Sequence, residues 1–304
     1  MKLRGVIPPI GTPVLENDTV DVAGLRRLNR YLLGAGVDAI FANGSMGGFA
    51  FLADDEQVRS VATTVTEVNG AVPVMGGIGD TSTSRAVKMA KRIAAEGVDY
   101  LSILPPFYFL ATQDHLIAYF SEIAAAVDVP IFLYDNPVLT KNPIQPATIV
   151  KLHETIPHLK GIKISNADYA NLQTVLSLVK HDPEFSVVTG SEFLILVGLQ
   201  MGCDGTVGGI HNVCPHIAVD LYRAFLEGDT ARASQRQQEL IATWQIFRYG
   251  SIWGAFDEAL RQLGICQRAT GAPYVTPMAD DEKRAVTAIL ERYVKPCLDQ
   301  GGSR

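Results

Sequence analysis

The sequence predicts an α/β fold, a (β/α)8 or TIM barrel followed by a C-terminal helical extension. Three observations carry that prediction. Short runs rich in Val, Ile and Gly alternate eight times with amphipathic stretches of helical length, the pattern of parallel strands joined by right-handed crossovers. Eight such units are the count of a closed barrel. The competing doubly wound sheet would carry a GxGxxG turn after its first strand, and here that turn reads GTPVLENDTVD.

In chain order, the strands are expected at Val6–Ile10, Asp38–Ala42, Val72–Gly77, Tyr100–Leu104, Ile131–Tyr134, Gly161–Ile164, Ser186–Thr189 and Gly205–Gly208. Helices are expected between them near 22–35, 54–68, 82–96, 112–126, 146–155, 168–181, 191–201 and 215–227. The acids Asp54, Asp55 and Glu56 favour a helix start, and Gly36, Gly97 and Gly202 favour helix ends. After about residue 228 the periodicity is helical only, through Leu240, Trp244 and Phe247, then Ile252, Phe256, Leu260 and Leu263, then Val286, Ile289, Leu290 and Tyr293. The chain therefore divides into a barrel over 1–228 and a helical region over 229–304, which caps a face or supports assembly.

Composition narrows the function. The 304 residues are 47% hydrophobic and 19% charged, with a net charge of −6, so the chain is globular and has no electrostatic footprint for nucleic acid or anionic lipid. No apolar run is long enough to span a bilayer, and the opening MKLRGVIPPIGTP lacks a secretory h-region. Four cysteines without CxxC spacing and six histidines without HExxH spacing give little support for disulfides or a metal. A reducing cytoplasm is the expected compartment.

Function in such a barrel resides at the C-terminal ends of the strands. There the sequence places ANGSMGGF (42–49), PPFYF (105–109), FLYDNP (132–137), GIKIS (161–165), TGSE (189–192) and GTVGGIHN (205–212). Lys163 lies between Ile162 and Ile164. A strand-end lysine reaching past its neighbours to water and an amine desolvated by the barrel wall until it can attack a carbonyl stand about level from its position near the end of a barrel strand. Tyr134, on the adjacent strand, is either a core ring with a wet hydroxyl or a proton carrier beside that amine. GSMGG (44–48) is either a tight turn or a backbone nest that holds a carboxylate with the Ser45 hydroxyl. GTVGGIHN has the same ambiguity for phosphate, without a Lys or Arg of its own. Glu192 and His211 are acid–base candidates, and a lone loop histidine is more commonly structural. Asp168 and Asp54 read as helix-start residues.

The ordered set GSMGG, PPFY, YDNP, GIKIS and TGSE…GCDGTVGG resembles the dihydrodipicolinate synthase / N-acetylneuraminate lyase family of Schiff-base aldolases. The resemblance runs over about residues 5–225, and the opening GVIPPIGTPVLENDTVD is similar as well. It implies that Lys163 forms an imine with the keto carbon of pyruvate or a 2-keto acid and that Tyr134 moves protons at that imine. It implies that Ser45 belongs to the proton relay and the carboxylate-binding turn, with Met46 beside it. Tyr108 would be the relay tyrosine lent across a subunit interface, in a homotetramer or homodimer. Gly190, Ser191, Glu192, Val207 and Gly208 would line the substrate pocket. No cofactor is implied, because the lysine imine is itself the electron sink.

Two departures qualify the resemblance. The family turn carries a second hydroxyl and a glutamate where this chain has Met46 and Gly48. The true synthases carry an arginine after the strand-5 tyrosine, and that position here is Leu139. Without its bidentate grip on a carboxylate, dihydrodipicolinate synthesis is demoted. The expectation is cleavage of a 2-keto acid, a 2-keto-3-deoxy sugar acid in particular, to pyruvate and an aldehyde. Dehydration of such an acid through the same imine is the first alternative. A catalytically inactive keto-acid-binding relative and a barrel enzyme with a phosphate substrate follow.

Overall fold

The structure, a computed structural model, describes residues 2–166 and 168–301. Eight strands form one curled sheet: β1 (Gly5–Val6), β2 (Ile40–Ala42), β3 (Val74–Ile78), β4 (Tyr100–Ile103), β5 (Ile131–Asp135), β6 (Leu159–Ile164), β7 (Ser186–Thr189) and β8 (Gly205–Thr206). Their order is β1-β8-β7-β6-β5-β4-β3-β2, and every pairing is parallel. The seam between β1 and β2 is closed by a bridge between Pro9 and Phe41. Three backbone hydrogen bonds reinforce it: Asp38 N–H to Val6 O (2.9 Å), Phe41 N–H to Pro8 O (2.9 Å) and Ile10 N–H to Phe41 O (2.8 Å). The barrel is closed.

Helices α1 (Val22–Ala35), α2 (Asp54–Val68), α3 (Thr83–Ala95), α4 (Gln113–Ala124), α5 (Pro137–Thr140), α6 (Pro146–Thr155), α7 (Tyr169–Val179), α8 (Ile195–Met201) and α9 (Pro215–Leu226) connect the strands and surround them. Local chemistry sets their ends. Asp21 and Asp168 cap α1 and α7 by accepting from Gly24 N–H and Asn171 N–H, whereas Asp54 is the first residue of α2 rather than its cap. Gly36 and Gly202 close α1 and α8 in the left-handed conformation. Beyond the barrel lie α10 (Thr230–Trp244), α11 (Ile252–Gln262), α12 (Asp280–Ile289) and α13 (Lys295–Gly301). Among the described residues no helix is long and apolar enough to cross a membrane.

Strands β2, β3 and β6 differ from expectation by one or two residues at an end, and other differences have a physical reason. Strand β1 is shorter because Pro8 and Pro9 have no N–H to give to a ladder. Strand β8 stops at Thr206, and a 3-10 turn occupies Gly209–Asn212. Helix α8 starts at Ile195, behind another 3-10 turn at Glu192–Leu194. The short helix α5 was absent from the expected series.

The core has two layers, and strand alternation decides which residue enters which. Ile40, Ala42, Leu101, Ile103, Ile131, Leu133, Ile162 and Ile164 face outward into the main layer against the helices. Ala39, Phe41, Tyr100, Leu104, Phe132, Tyr134 and Val188 fill the barrel interior. The C-terminal helices are fastened over the end where the strands finish. Gln237 on α10 donates to Glu192 O (2.9 Å) and accepts from Leu196 N–H (3.0 Å), and Arg268 O accepts from Val14 N–H (2.9 Å).

Candidate active site

The register between β5 and β6 sets Tyr134 directly opposite Lys163. Since Ile162 and Ile164 point to the helices, Lys163 points into the barrel with them at its back, and it is 4% exposed. Its amine lies 3.9 Å from the centre of the Tyr134 ring and 5.0 Å from that of Phe41, an arrangement that stabilises a cation through the ring faces. No carboxylate forms an ion pair with it among the described residues. Below it the barrel is plugged. Gly161 has no side chain because a Cβ there would lie 2.4 Å from the Phe132 ring, and Phe132 packs edge-to-face on Tyr100 at 5.4 Å.

The turn after β2 brings Ser45 to the same point. Asn43, left-handed at φ 57°, is buried and donates to Gln57 (3.1 Å) and to Gly77 O (3.0 Å), which fixes the start of the turn. Gly48 N–H closes it onto Ser45 O (3.1 Å). Gly48 has φ +69°, and a Cβ on it would lie 1.9 Å from the Phe51 ring. Gly48 thus makes room for Phe51, which packs against Trp253 and Tyr274.

The Tyr134 hydroxyl lies 3.3 Å from Ser45 Oγ and accepts from Asn136 Nδ2 at 3.0 Å. Burial alone would raise the pKa of this phenol. The adjacent Lys163 charge, with hydrogen bonds from Ser45, Lys163 and Asn136, outweighs burial and holds it below its ordinary value. A phenol so biased gives up and regains a proton more readily near neutral pH. Asp135, the next residue, is buried and ties two loops together by accepting from Ile144 N–H (3.0 Å) and Asn166 Nδ2 (3.1 Å). Its carboxyl is pushed up to about 6 by burial, against those two donors.

Above the amine opens a cavity of about 390 Å³ whose wall includes Ser45, Met46, Tyr134, Lys163, Gly190, Glu192 and Val207. Burial raises the Glu192 carboxyl, while backbone N–H groups of residues 192, 210 and 209 and the Lys163 charge favour its anion. Two expected lining residues are set back. Gly208 lies behind Glu192, where a Cβ would be 2.9 Å from both Glu192 Cγ and His211 Nε2, and Gly209 takes its place on the wall. Ser191 leads into the 3-10 turn, its N–H directed at Thr189 Oγ1 (3.3 Å). His211 is fully buried, accepts from Gly208 N–H at Nδ1 (3.1 Å), and is held neutral by burial and by Lys163, with its pKa pushed down to about 3.

Tyr108 does not join this group within one chain. It is 82% exposed, left-handed at φ 81°, and stacks edge-on with Phe109. Leu139 lines a neighbouring cavity, also of about 390 Å³, that meets the first at Ser45. Sequence reasoning missed Trp244, Phe247 and Ile252, which cross from the C-terminal helices to form the outer wall above Lys163. Their helical spacing was visible, but the surface they cover was not.

Comparison with known proteins identifies the family and the fold. A model of the dihydrodipicolinate synthetase family matches residues 2–293. The chain is 32% identical over 241 residues to YjhH of Escherichia coli (strain K12), named "Probable 2-dehydro-3-deoxy-D-pentonate aldolase", covering 79% of this chain and 80% of that one. It is 35% identical over 242 residues to the 4-hydroxy-tetrahydrodipicolinate synthase of Salinibacter ruber, covering 79% of each. Among solved structures, YagE of E. coli K12, a prophage protein in complex with pyruvate, is similar with a TM-score of 0.91 at 27% identity, covering 96% of this chain and 98% of that one.

Proposed function

This chain belongs to the dihydrodipicolinate synthetase family, and we propose that it is a class I aldolase cleaving a 4-hydroxy-2-keto acid, of the 2-keto-3-deoxy sugar-acid kind, to pyruvate and an aldehyde. The observation that carries this reading is the inward pairing of Lys163 with Tyr134 across β5 and β6, with the Tyr134 phenol beside Ser45. The aldolase name of one relative and the pyruvate bound to YagE support it.

In the proposed reaction the Lys163 amine attacks C2 and water leaves, giving an iminium. The Tyr134 oxygen, relayed through Ser45, takes the C4 hydroxyl proton. The C3–C4 electron pair moves into the iminium, so the aldehyde departs and an enamine remains. Tyr134 returns its proton to C3, and water releases pyruvate and the free amine. The turn at Ser45 and Met46 holds the substrate carboxylate, with backbone N–H doing what the Met46 side chain does not. Tyr108 completes the relay from a second copy, entering the apolar cavity beside Ser45 that Phe49, Phe107 and Leu139 help to line.

The likeness to a synthase makes dihydrodipicolinate synthesis the competitor. It is disfavoured because Leu139, 58% exposed, offers nothing to a second carboxylate. The test is a panel of 2-keto-3-deoxy acids assayed for pyruvate release, with 2-oxoglutarate semialdehyde followed in parallel. Pyruvate release at a stoichiometric match to substrate loss is expected. Accumulation of the semialdehyde without pyruvate would replace cleavage by dehydration.

A further inference from the structure

The cavity above Lys163 has walls of two kinds. Its polar side chains besides Lys163 are those of Ser45, Tyr134, Asn136, Ser165 and Glu192, alongside the buried Val207 and the half-buried Met46. Toward solvent it is apolar, built by Val138 of α5 and by Trp244, Phe247 and Ile252. Trp244 is held edge-on between Phe193 (4.9 Å) and Phe247 (5.8 Å), which gives the wall a fixed aromatic shelf. Val138 and Ile252 are 66% and 47% exposed, large apolar side chains left uncovered at the mouth. Among the described residues of this wall Lys163 is the one cation and Glu192 the one acid.

Resting on the reading of Lys163 as the imine-forming lysine, we propose that the aldehyde half of the substrate is uncharged and ends in an apolar group, alkyl or aryl, seated against Val138, Trp244, Phe247 and Ile252. Within the 2-keto-3-deoxy sugar acids this selects those ending in a methyl group over those ending in a hydroxyl, carboxylate or phosphate. Lys163 is covalently engaged during reaction, and the pyruvyl carboxylate occupies the Ser45 turn. A second anion would therefore find no cation on the wall and would meet the Glu192 carboxyl instead. A terminal hydroxyl at the aromatic shelf would lose its water without gaining a partner there. An added methyl or methylene in an apolar pocket changes kcat/KM by about 10- to 200-fold.

The test runs the reaction in the direction of addition. The pyruvate enamine attacks the aldehyde carbon, a C–C bond forms, the carbonyl oxygen takes a proton, and hydrolysis frees a 4-hydroxy-2-keto acid. With pyruvate fixed, lactaldehyde, butanal and benzaldehyde are compared with glyceraldehyde, glyceraldehyde 3-phosphate and succinic semialdehyde. The apolar-ended aldehydes are expected to exceed glyceraldehyde in kcat/KM by about tenfold or more. The two anionic aldehydes are expected to fall about a hundredfold or more below them. Ile252→Arg and, separately, Val138→Arg, both at exposed positions, should narrow the gap between anionic and apolar aldehydes by about tenfold. Anionic aldehydes used as well as apolar ones by the unaltered protein would overturn the proposal, and so would failure of both variants to move the ratio. Deuterium exchange into the pyruvate methyl group, measured on the same sample, separates the two claims. Exchange with the wrong aldehyde order overturns this proposal alone, exchange with no aldehyde used overturns the aldolase reading with it, and absence of exchange overturns the reading of Lys163 beneath both.

Discussion

Replacing Tyr134 by Phe keeps the ring and deletes one oxygen, so it isolates the proton-carrying role from packing. The oxygen makes a long contact with Ser45 (3.3 Å) and accepts from Asn136 (3.0 Å). Losing the Asn136 bond leaves a buried donor unpaired, at a cost of about 1–3 kcal/mol. The ring remains packed 6.0 Å from Phe41, edge-to-face. The melting temperature should therefore fall by about 2–12 °C, at about 2–4 °C per kcal/mol for a chain approaching this size. The chemical effect is larger. A positioned general acid–base contributes about 10²–10⁴-fold, which is about 3–5 kcal/mol of barrier. The assay needs no knowledge of the aldehyde. In D2O, pyruvate bound as the Lys163 imine loses a C3 proton to give the enamine and regains a deuteron, and proton NMR follows loss of the methyl signal. Tyr134→Phe should slow this exchange by about a hundredfold or more while the far-ultraviolet circular dichroism stays unchanged. Exchange within about threefold of the parent rate, with the fold intact, would refute the assignment of Tyr134 as proton carrier.

Three further outcomes are expected. Gly48→Ala should destabilise the protein by about 2–4 kcal/mol in urea denaturation, since it combines a left-handed residue with overlap on Phe51. The same change in a Phe51→Ala background should cost only about 1–2 kcal/mol, the left-handed part alone. Asp257 accepts at one oxygen from Ala269 N–H (2.7 Å) and Thr270 Oγ1 (3.0 Å), and burial pushes its carboxyl up to about 6, against those donors and Arg268. Because that folded pKa lies above the ordinary carboxylate value, its contribution to stability is fully present below about pH 4 and is lost as pH rises through about 6. Asp257→Asn, which keeps the accepting oxygen, should raise stability at pH 7.5 by as much as about 3 kcal/mol and change little at pH 4. Finally, Tyr108→Ala removes a ring that is 82% exposed, so it should leave the melting temperature of the dissociated chain unchanged. It should nevertheless slow pyruvate exchange about tenfold or more if a second copy lends that tyrosine, and an unchanged rate would remove Tyr108 from the relay.

Much of this was legible in the sequence for definite reasons. Strands buried on both faces read as apolar runs, and a lysine inside one is conspicuous because nothing in the helix-facing layer accommodates it. The strand period and the order of the barrel place Lys163 beside Tyr134, but they leave a snorkelling lysine and a reactive one level, and only the resemblance to the family favoured the reactive one. What escaped was set by contacts distant in sequence. Pro8 and Pro9 look like strand in composition and fail as ladder donors. The helix α5 is four residues long, too short to show a period. Asn136 became visible as the Tyr134 partner only when β5 ended and its side chain turned back on the phenol. The outer wall came from α10, the turn after it and α11, and no local pattern says that Trp244, Phe247 and Ile252 cover the cavity above Lys163. The reason for Gly48 lay in a ring three residues on, whose position depends on Trp253 and Tyr274.

In the proposed reaction Lys163 is the residue that bonds to the keto carbon. Incubating the protein with pyruvate and borohydride, followed by intact mass and peptide mapping, measures that bond directly. One reduced pyruvyl group per chain, on the peptide containing Lys163, is the expected result. Absence of label at saturating pyruvate, or label on any other lysine, would contradict it.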